Sequence, residues 1–340
     1  MASVLRRAPP RSNPEDLLTM SLVTEKPVPV TDAINPPVAQ SRFHKDGPLL
    51  KRLPLLPALV FMIIVTQVPF VLTLIISFFN WNSLYPNDVY FSWFSNYVAV
   101  FVNPDLRNAM LVTVQITVVV VLVSLLLGLG IALLLDRKFW GRGAVRTLLI
   151  APFLIVPVAA ALVWKHALYN PSYGLFNGIL TWIWGLFGAG SQAPQPDWIS
   201  QFPLHSVELE LIWQWTPFMM LILLAGLQGR PLDVIEAAKM DGASEWQIFR
   251  YLTFPHLRQY LELAALLGSI YVVQTFDSVF TLTSGSLGTA NLPFTIYQQF
   301  TLGHDYGGSS ASGVVVVFLS IALATFALRT VSTLLKDESK

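Results

Sequence analysis

Glu236-Ala237-Ala238-Lys239-Met240-Asp241-Gly242-Ala243 is a charged, helix-forming island between two long apolar stretches, and it runs on through Phe249 and Leu252 to Pro255. Just before it, Pro231 and Asp233 read as a helix start, with proline in the first turn and an acid near the positive end of the helix dipole. Leu232, Ile235, Ala238 and Met240 form one apolar stripe. Gly242 then interrupts the helical pattern, as a sharp turn between two short helices requires. A second helix resumes over Ser244 to Tyr251, with Ser244 as its cap and Trp246, Phe249 and Leu252 apolar. Pro255 is expected to end it. The small side chains of Ala237 and Ala238 leave room for a partner to approach closely.

What flanks the island sets the protein class. Of 340 residues, 54% are hydrophobic and 12% charged, and the mean hydropathy is +0.58. Soluble domains carry about 25% charged residues, so a polytopic membrane protein is indicated. A net charge of +1 gives no reason to expect nucleic acid, and the absence of cysteine excludes disulfides, thiolate metal sites and cysteine catalysis. A membrane-spanning helix needs about 20 mostly apolar residues. Six stretches meet that length, at about 54–79, 109–135, 147–168, 209–227, 260–282 and 310–334. Prolines 54, 57, 69, 152, 157 and 217 fall within or at the ends of these spans, where each removes a helical hydrogen bond.

Orientation follows from the basic residues. With the N-terminus inside, every Lys and Arg except Arg107 and Lys165 lies on the cytoplasmic side, and the opposite topology inverts that ratio. An N-in, C-in arrangement places the segment 230–258 in the cytoplasm. Residues 1–50, rich in Pro and Ser and without apolar periodicity, are expected to be a disordered cytoplasmic tail. They contain no apolar core of a cleaved signal peptide, so the first span is expected to serve as the insertion signal and to stay. The transmembrane domain is expected to occupy residues 51–335.

Glu236-Ala237-Ala238, Asp241-Gly242-Ala243, Phe249 and Pro255 together resemble the cytoplasmic EAA loop of binding-protein-dependent ABC transporter permeases. Three further stretches are similar to the carbohydrate, maltose-type branch of these permeases. They are Asp136 to Gly178, Trp213 to Met219 with Leu224 to Gln228, and Thr275 to Gly285 with Asn291-Leu292-Pro293 and Tyr297-Gln298-Gln299. The resemblance spans about 53–334 and looks most like the sorbitol and mannitol permeases. One departure lies in the external loop, where Gly285-Ser286-Leu287-Gly288 stands in place of the family's G-G-P-G.

The resemblance implies an all-α polytopic protein with the type I ABC importer permease fold, six transmembrane helices and cytoplasmic coupling helices. It implies that Glu236, Ala237, Ala238, Asp241, Gly242, Phe249 and Pro255 couple the chain to an ATPase. It further implies a second, homologous permease subunit, a dimer of ATPase subunits, an extracytoplasmic solute-binding protein, a carbohydrate substrate and a prokaryotic plasma membrane location. No G-x-x-x-x-G-K-[ST] occurs in the chain. ATP and magnesium are therefore expected on the partner ATPase, with no cofactor on this chain.

Polar residues inside spans are costly and tend to face a cavity. Tyr271, Gln274, Thr275 and Ser278 follow i, i+3, i+4, i+7 on the fifth span, with Asp277 and Thr281 beside them. Trp213, Gln214, Trp215 and Thr216 cluster before Pro217 on the fourth, and Trp164, Lys165, His166 and Tyr169 near the end of the third. Aromatic faces with amide, hydroxyl and carboxylate groups suit a sugar or polyol. Trp213, Gln214, Trp215, Tyr271, Gln274, Asp277, Ser278 and Trp164 are therefore the expected substrate path. No His/Asp/Glu cluster has metal-ligand spacing and no nucleophile–base pair is evident, so the chain is not expected to be an enzyme. The alternative is a secondary transporter of a small polar solute, suggested by Asp136-Arg137 with Gly141-Arg142 after the second span. That alternative calls for about twelve spans and leaves Glu236–Pro255 unexplained.

Overall fold

The computed structural model describes residues 55–336, with side chains described as far as Arg329. The expected tail at 1–50, and the start of the first span at Pro54, lie outside the described residues. The chain divides into two units, one ending at Phe61 and the other beginning at Met62. The second unit holds every feature discussed below except the first turns of α1.

Helix α1 (Leu56–Ile76) contains Pro69 and buries none of its residues. A short antiparallel ribbon follows, β1 (Phe79–Asn80) paired with β2 (Tyr90–Phe91), with Phe79 opposite Phe91 and Asn80 opposite Tyr90. Asn96, on α2 (Ser95–Val102), ties the ribbon down by donating Nδ2–H bonds to the carbonyls of Ser77 at 2.9 Å and Phe79 at 2.8 Å. Helix α3 (Pro104–Asp136) is 33 residues long and starts at Asn103, whose side chain accepts from the Asp105 amide. It reaches well beyond the 109–135 apolar stretch because Asn103 and Pro104 provide an N-terminus earlier than hydropathy marks it.

The third expected span is not one helix. Helix α4 (Arg142–Leu154) and α5 (Pro157–Val163), the latter prolonged by a π-helical turn at Trp164–Leu168, meet at 102°. The cause is the pair Pro152 and Pro157. Ile155 and Val156 are extended between them, Val156 as expected for the residue that precedes a proline. The fifth span is also broken, with a 54° bend between the helical stretch ending at Val272 and α12 (Asp277–Thr283). Counting each bent pair as one crossing, the described residues hold six spans.

Helices α6 (Leu175–Leu186) and α7 (Trp198–Gln201) lie in the connection to α8 (Pro203–Gln228), which carries Pro217 without a break. Beyond α8 come α9 (Leu232–Met240), α10 (Glu245–Ile248), α11 (Phe254–Val272), α13 (Leu292–Tyr297) and α14 (Tyr306–Lys336). Helices α10 and α11 are joined by a π turn at Phe249–Thr253. Pro255 therefore sits in the first turn of α11 and does not end the helix as expected. The break in ordinary α-helical bonding falls on the π turn before it, and the first turn of a helix is where a missing N–H costs least.

The core is built on α3, α8 and α11, which meet around Met219. A Cβ on Gly128 would lie 2.9 Å from Met219 Cβ and from the Met220 amide, and one on Gly268 would lie 2.2 Å from Met219 Cε. Close approach at small residues is how membrane helices gain packing without a hydrophobic drive between them. A smaller cluster of Val100, Leu106, Ala311 and Val315 packs α2 and α3 against α14.

Candidate functional site

Two regions stand out, a cavity at the breaks in the spans and the exposed helix pair α9–α10. The cavity has a volume of about 310 Å³ and lies between the α4–α5 break, α8 and the α11–α12 break. Its lining includes Gln214, Trp215, Tyr271, Gln274, Asp277 and Ser278 from the expected path. Phe153, Ile155 and Phe276 line it as well.

The breaks create the cavity and also provide its polar groups. At the first break the Ile155 carbonyl has left the helical ladder, and Gln214 Nε2–H donates to it at 3.1 Å. A neighbouring side chain satisfying a freed carbonyl is the condition under which a broken helix survives in a membrane. At the second break the Thr275 carbonyl accepts from Asn291 Nδ2 at 2.5 Å. Gln274 donates to the Ile270 carbonyl at 3.1 Å, leaving its side-chain oxygen available. An aromatic wall faces these groups. Trp215 stacks on Tyr271 with ring centroids 5.7 Å apart and planes at 23°, and Phe153 meets Trp215 edge-on at 5.8 Å. The helical i, i+3, i+4, i+7 stripe is interrupted at 273–276, so the bend, not one straight helix face, gathers Tyr271, Gln274 and Ser278 at the cavity.

Trp164 and Trp213 do not line the cavity. Their rings meet at 5.6 Å, and Trp164, only 5% exposed, packs also on Tyr169 at 5.3 Å and Phe176 at 5.9 Å. Trp213 is one residue from Gln214 and points about 100° away around the helix, which turns it into the core. Glu210, next in sequence to the lining residue Leu211, is 0% exposed, and its carboxylate faces the Ser278 hydroxyl.

The second region projects from the bundle. No residue of α9 is buried, and Met240 is 90% exposed. Gly242 turns the chain at φ +84°, and an added Cβ there would meet nothing within 4 Å. Ser244 and Gln247 then form a reciprocal cap on α10, with Ser244 N–H donating to Gln247 Oε1 at 2.8 Å and Gln247 N–H to Ser244 Oγ at 3.3 Å. Glu236, Ala237, Asp241 and Gly242 are exposed, Ala238 and Phe249 half-buried. Lys239 Nζ bonds Glu245 Oε1 at 2.9 Å across the turn. That hydrogen bond, with the charges of Lys239 and Arg137, holds the Glu245 carboxyl below the usual carboxylate range.

Arg230, counted in the sequence only as a basic residue, anchors the root of this pair. Its Nη2 pairs with Asp136 at the end of α3. Its Nε donates to the Leu227 carbonyl at 2.8 Å, and its Nη1 to Thr253 Oγ1 at 2.9 Å. One planar guanidinium thus bridges three elements, a role lysine cannot copy. The two partners are 94 residues apart in the chain, and the only sequence signal was an acid and a base at matching cytoplasmic ends of two spans.

Broken spans around a polar cavity, joined to an unpacked cytoplasmic helix pair, define a multi-pass transport permease. The chain belongs to the family described as "Binding-protein-dependent transport system inner membrane component", whose model matches residues 51–337. It is 37% identical over 269 residues to a probable ABC transporter permease, y4oQ, of Sinorhizobium fredii, covering 78% of this chain and 84% of that one. It is 34% identical over 236 residues to the trehalose/maltose transport system permease MalF of Thermococcus litoralis, covering 69% and 77%. It is 32% identical over 270 residues to the trehalose transport system permease SugA of Mycobacterium tuberculosis, covering 79% and 84%. Among solved structures, a bacterial ABC transporter involved in alginate import matches with a TM-score of 0.69 at 19% identity, over 84% of this chain and 96% of that one. That likeness concerns the fold. The chain is thus a membrane permease subunit of an ABC importer and not itself an enzyme, and the secondary-transporter alternative is set aside.

Proposed function

We propose that this chain carries a small, uncharged carbohydrate, a sugar alcohol or a small sugar, through the cavity at its two broken spans. The stacked pair Trp215–Tyr271 beside Gln214, Gln274, Asp277 and Ser278 is the observation that supports this reading most. A ring face offers a surface for C–H groups, while amide and carboxylate oxygens accept hydroxyl hydrogens. The cavity of about 310 Å³ is of ligand-pocket size. The trehalose and trehalose/maltose permeases named above are relatives of the same branch.

In this reading the chain pairs with a second, homologous permease, and a binding protein outside the membrane delivers the solute. A dimer of ATPase subunits binds ATP and magnesium on the cytoplasmic side. Its closure pushes on Glu236, Ala237, Ala238, Asp241 and Gly242. The push reaches α11 through Phe249 and Pro255, and α8 and α3 through Arg230. Rigid-body motion of packed helices then switches the cavity between the two sides.

The test is ATP-driven uptake by the reconstituted transporter and its binding protein, with sorbitol, mannitol, trehalose and maltose offered in parallel with an amino acid. Uptake of one carbohydrate, with a matching thermal shift of the binding protein, is expected. Uptake of the amino acid alone overturns the assignment.

A further inference from the structure

The loop joining α3 to α4 carries a concentrated positive charge that the transport cycle described above does not use. Arg137, Lys138 and Arg146 are exposed, and Arg142 is half-buried. None of the four has an ion-pair partner among the described residues. The acid that opens the loop, Asp136, is taken up by Arg230, and Glu245, within electrostatic reach of Arg137, is paired with Lys239. Amid this charge Trp140 is 99% exposed, with Phe139 exposed beside it.

We propose that this loop is a binding surface for the headgroups of anionic phospholipids in the cytoplasmic leaflet, with Trp140 inserted at the headgroup level. Depth supports this occupant. The loop follows directly on the apolar stretch of α3, and on α4 the exposed apolar residues Val145 and Leu148 begin within one to two turns of Trp140. Charge, then aromatic, then bare aliphatic side chain is the order met on passing from the headgroups into the hydrocarbon. Arg142 and Arg146, at i and i+4, share one face of α4 and can point toward the headgroups together. A patch of four cations whose neighbouring acids are already paired elsewhere attracts the negative surface of an anionic leaflet.

The surface also adjoins the coupling segment. The charge of Arg137 contributes to lowering the Glu245 carboxyl, so the loop lies within electrostatic reach of the α9–α10 turn. Lipid bound here therefore sits beside the place where the ATPase is proposed to push. An acidic face of that ATPase is the competing occupant.

The chain has no cysteine, so one introduced residue labels it uniquely. Gly143 is suitable, since an added Cβ there meets nothing within 4 Å and none of the invoked side chains is lost. Gly143→Cys carrying bimane is assembled with the partner chains, their own cysteines replaced, in vesicles containing brominated phosphatidylglycerol or brominated phosphatidylcholine at equal mole fraction. Phosphatidylglycerol is expected to quench at least about twofold more than phosphatidylcholine. Combined Arg137→Gln, Lys138→Gln, Arg142→Gln and Arg146→Gln should make the two lipids equal. Where that variant does not insert, Arg142→Gln and Trp140→Ala are read singly, and each should reduce the preference. Equal quenching by the two lipids in the parent overturns the proposal. So does a label quenched by aqueous iodide in the permease alone and shielded on adding the ATPase, which assigns the loop to the ATPase.

Discussion

The guanidinium of Arg230 pairs with the carboxylate of Asp136, and so fixes the root of the cytoplasmic helix pair to the far end of α3. Both groups are largely sequestered, and the same guanidinium also holds the Leu227 carbonyl and the Thr253 hydroxyl. Removing one partner leaves the other's charge poorly compensated, at a cost of about 1–3 kcal/mol. Arg230→Ala should lower the melting temperature of the assembled complex and reduce substrate-stimulated ATPase activity more than basal activity. Arg230→Lys should recover only part of the loss, because one ammonium cannot reach three acceptors. Equal stimulation in Arg230→Ala and the parent would show that the joint plays no part in coupling.

Gly242 separates strain from docking. Its left-handed φ of +84° costs an alanine roughly 1–2 kcal/mol, and no steric clash adds to this. Gly242→Ala should therefore insert and retain most coupled transport. Gly242→Asp tolerates the backbone but places charge on the exposed turn, so it should insert normally while ATP hydrolysis no longer drives uptake. Coupled transport at the parent rate in Gly242→Asp would remove the docking assignment.

At the cavity, Gln274→Ala and Asp277→Ala should each cut uptake by about tenfold or more, through lost hydrogen bonds to the solute. ATP hydrolysis without substrate should survive in both. Gln214→Leu should do more harm, because it also strips the partner from the Ile155 carbonyl, and should lower thermal stability as well as uptake. If uptake is unchanged in all three variants, the solute takes another route.

Helix packing gives a paired test in α3. Gly128→Ala forces a methyl within 2.9 Å of the Met220 amide, while a Cβ at Gly130 meets nothing within 4 Å. Gly128→Ala should destabilise by about 1–3 kcal/mol, and Gly130→Ala should be neutral or slightly stabilising. Melting of the two variants by intrinsic fluorescence in detergent distinguishes them. Equal melting temperatures would contradict the packing around Met219.

The Lys239–Glu245 contact makes a directional prediction for pH. The carboxyl is lowered in the folded chain, so its contribution is complete above the ordinary carboxylate value of about 4.3 and fades as pH falls through the lowered value. Lys239→Gln should raise the Glu245 titration toward the ordinary value. It should leave coupled ATPase activity unaltered in its pH dependence between pH 6 and 8, where the carboxylate is charged either way. Carboxyl titration by isotope-edited infrared spectroscopy checks the first expectation.

Local chemistry made much of this legible. The apolar stretches, Gly242 as the turn and Ser244 as a cap all depend on short-range rules, and the structure has the turn and the cap in place and four of the six stretches as single helices, the other two as bent pairs. The kinks were foreshadowed by Pro152 and Pro157, but the angle between α4 and α5 depends on what the extended residues pack against. Trp164 and Trp213 show the limit more sharply. A tryptophan in a span suits a core as well as a sugar site, and the difference between Trp213 and Trp215 is which way a helix is rotated. Asp136 and Arg230 could not be paired without knowing that α3 and α8 end side by side.

Helix α9 buries none of its own side chains, and only Ile235 and Ala238 along it are even half-buried. Such a segment opens locally at little free-energy cost. A chain prepared without its ATPase should therefore be nicked by proteases, among the described residues, between Leu232 and Met240, and shielded there once the ATPase is added. The exposure on which its proposed role as a lever rests would thus also make it a marker of incomplete assembly, by which a cell could clear an orphaned subunit.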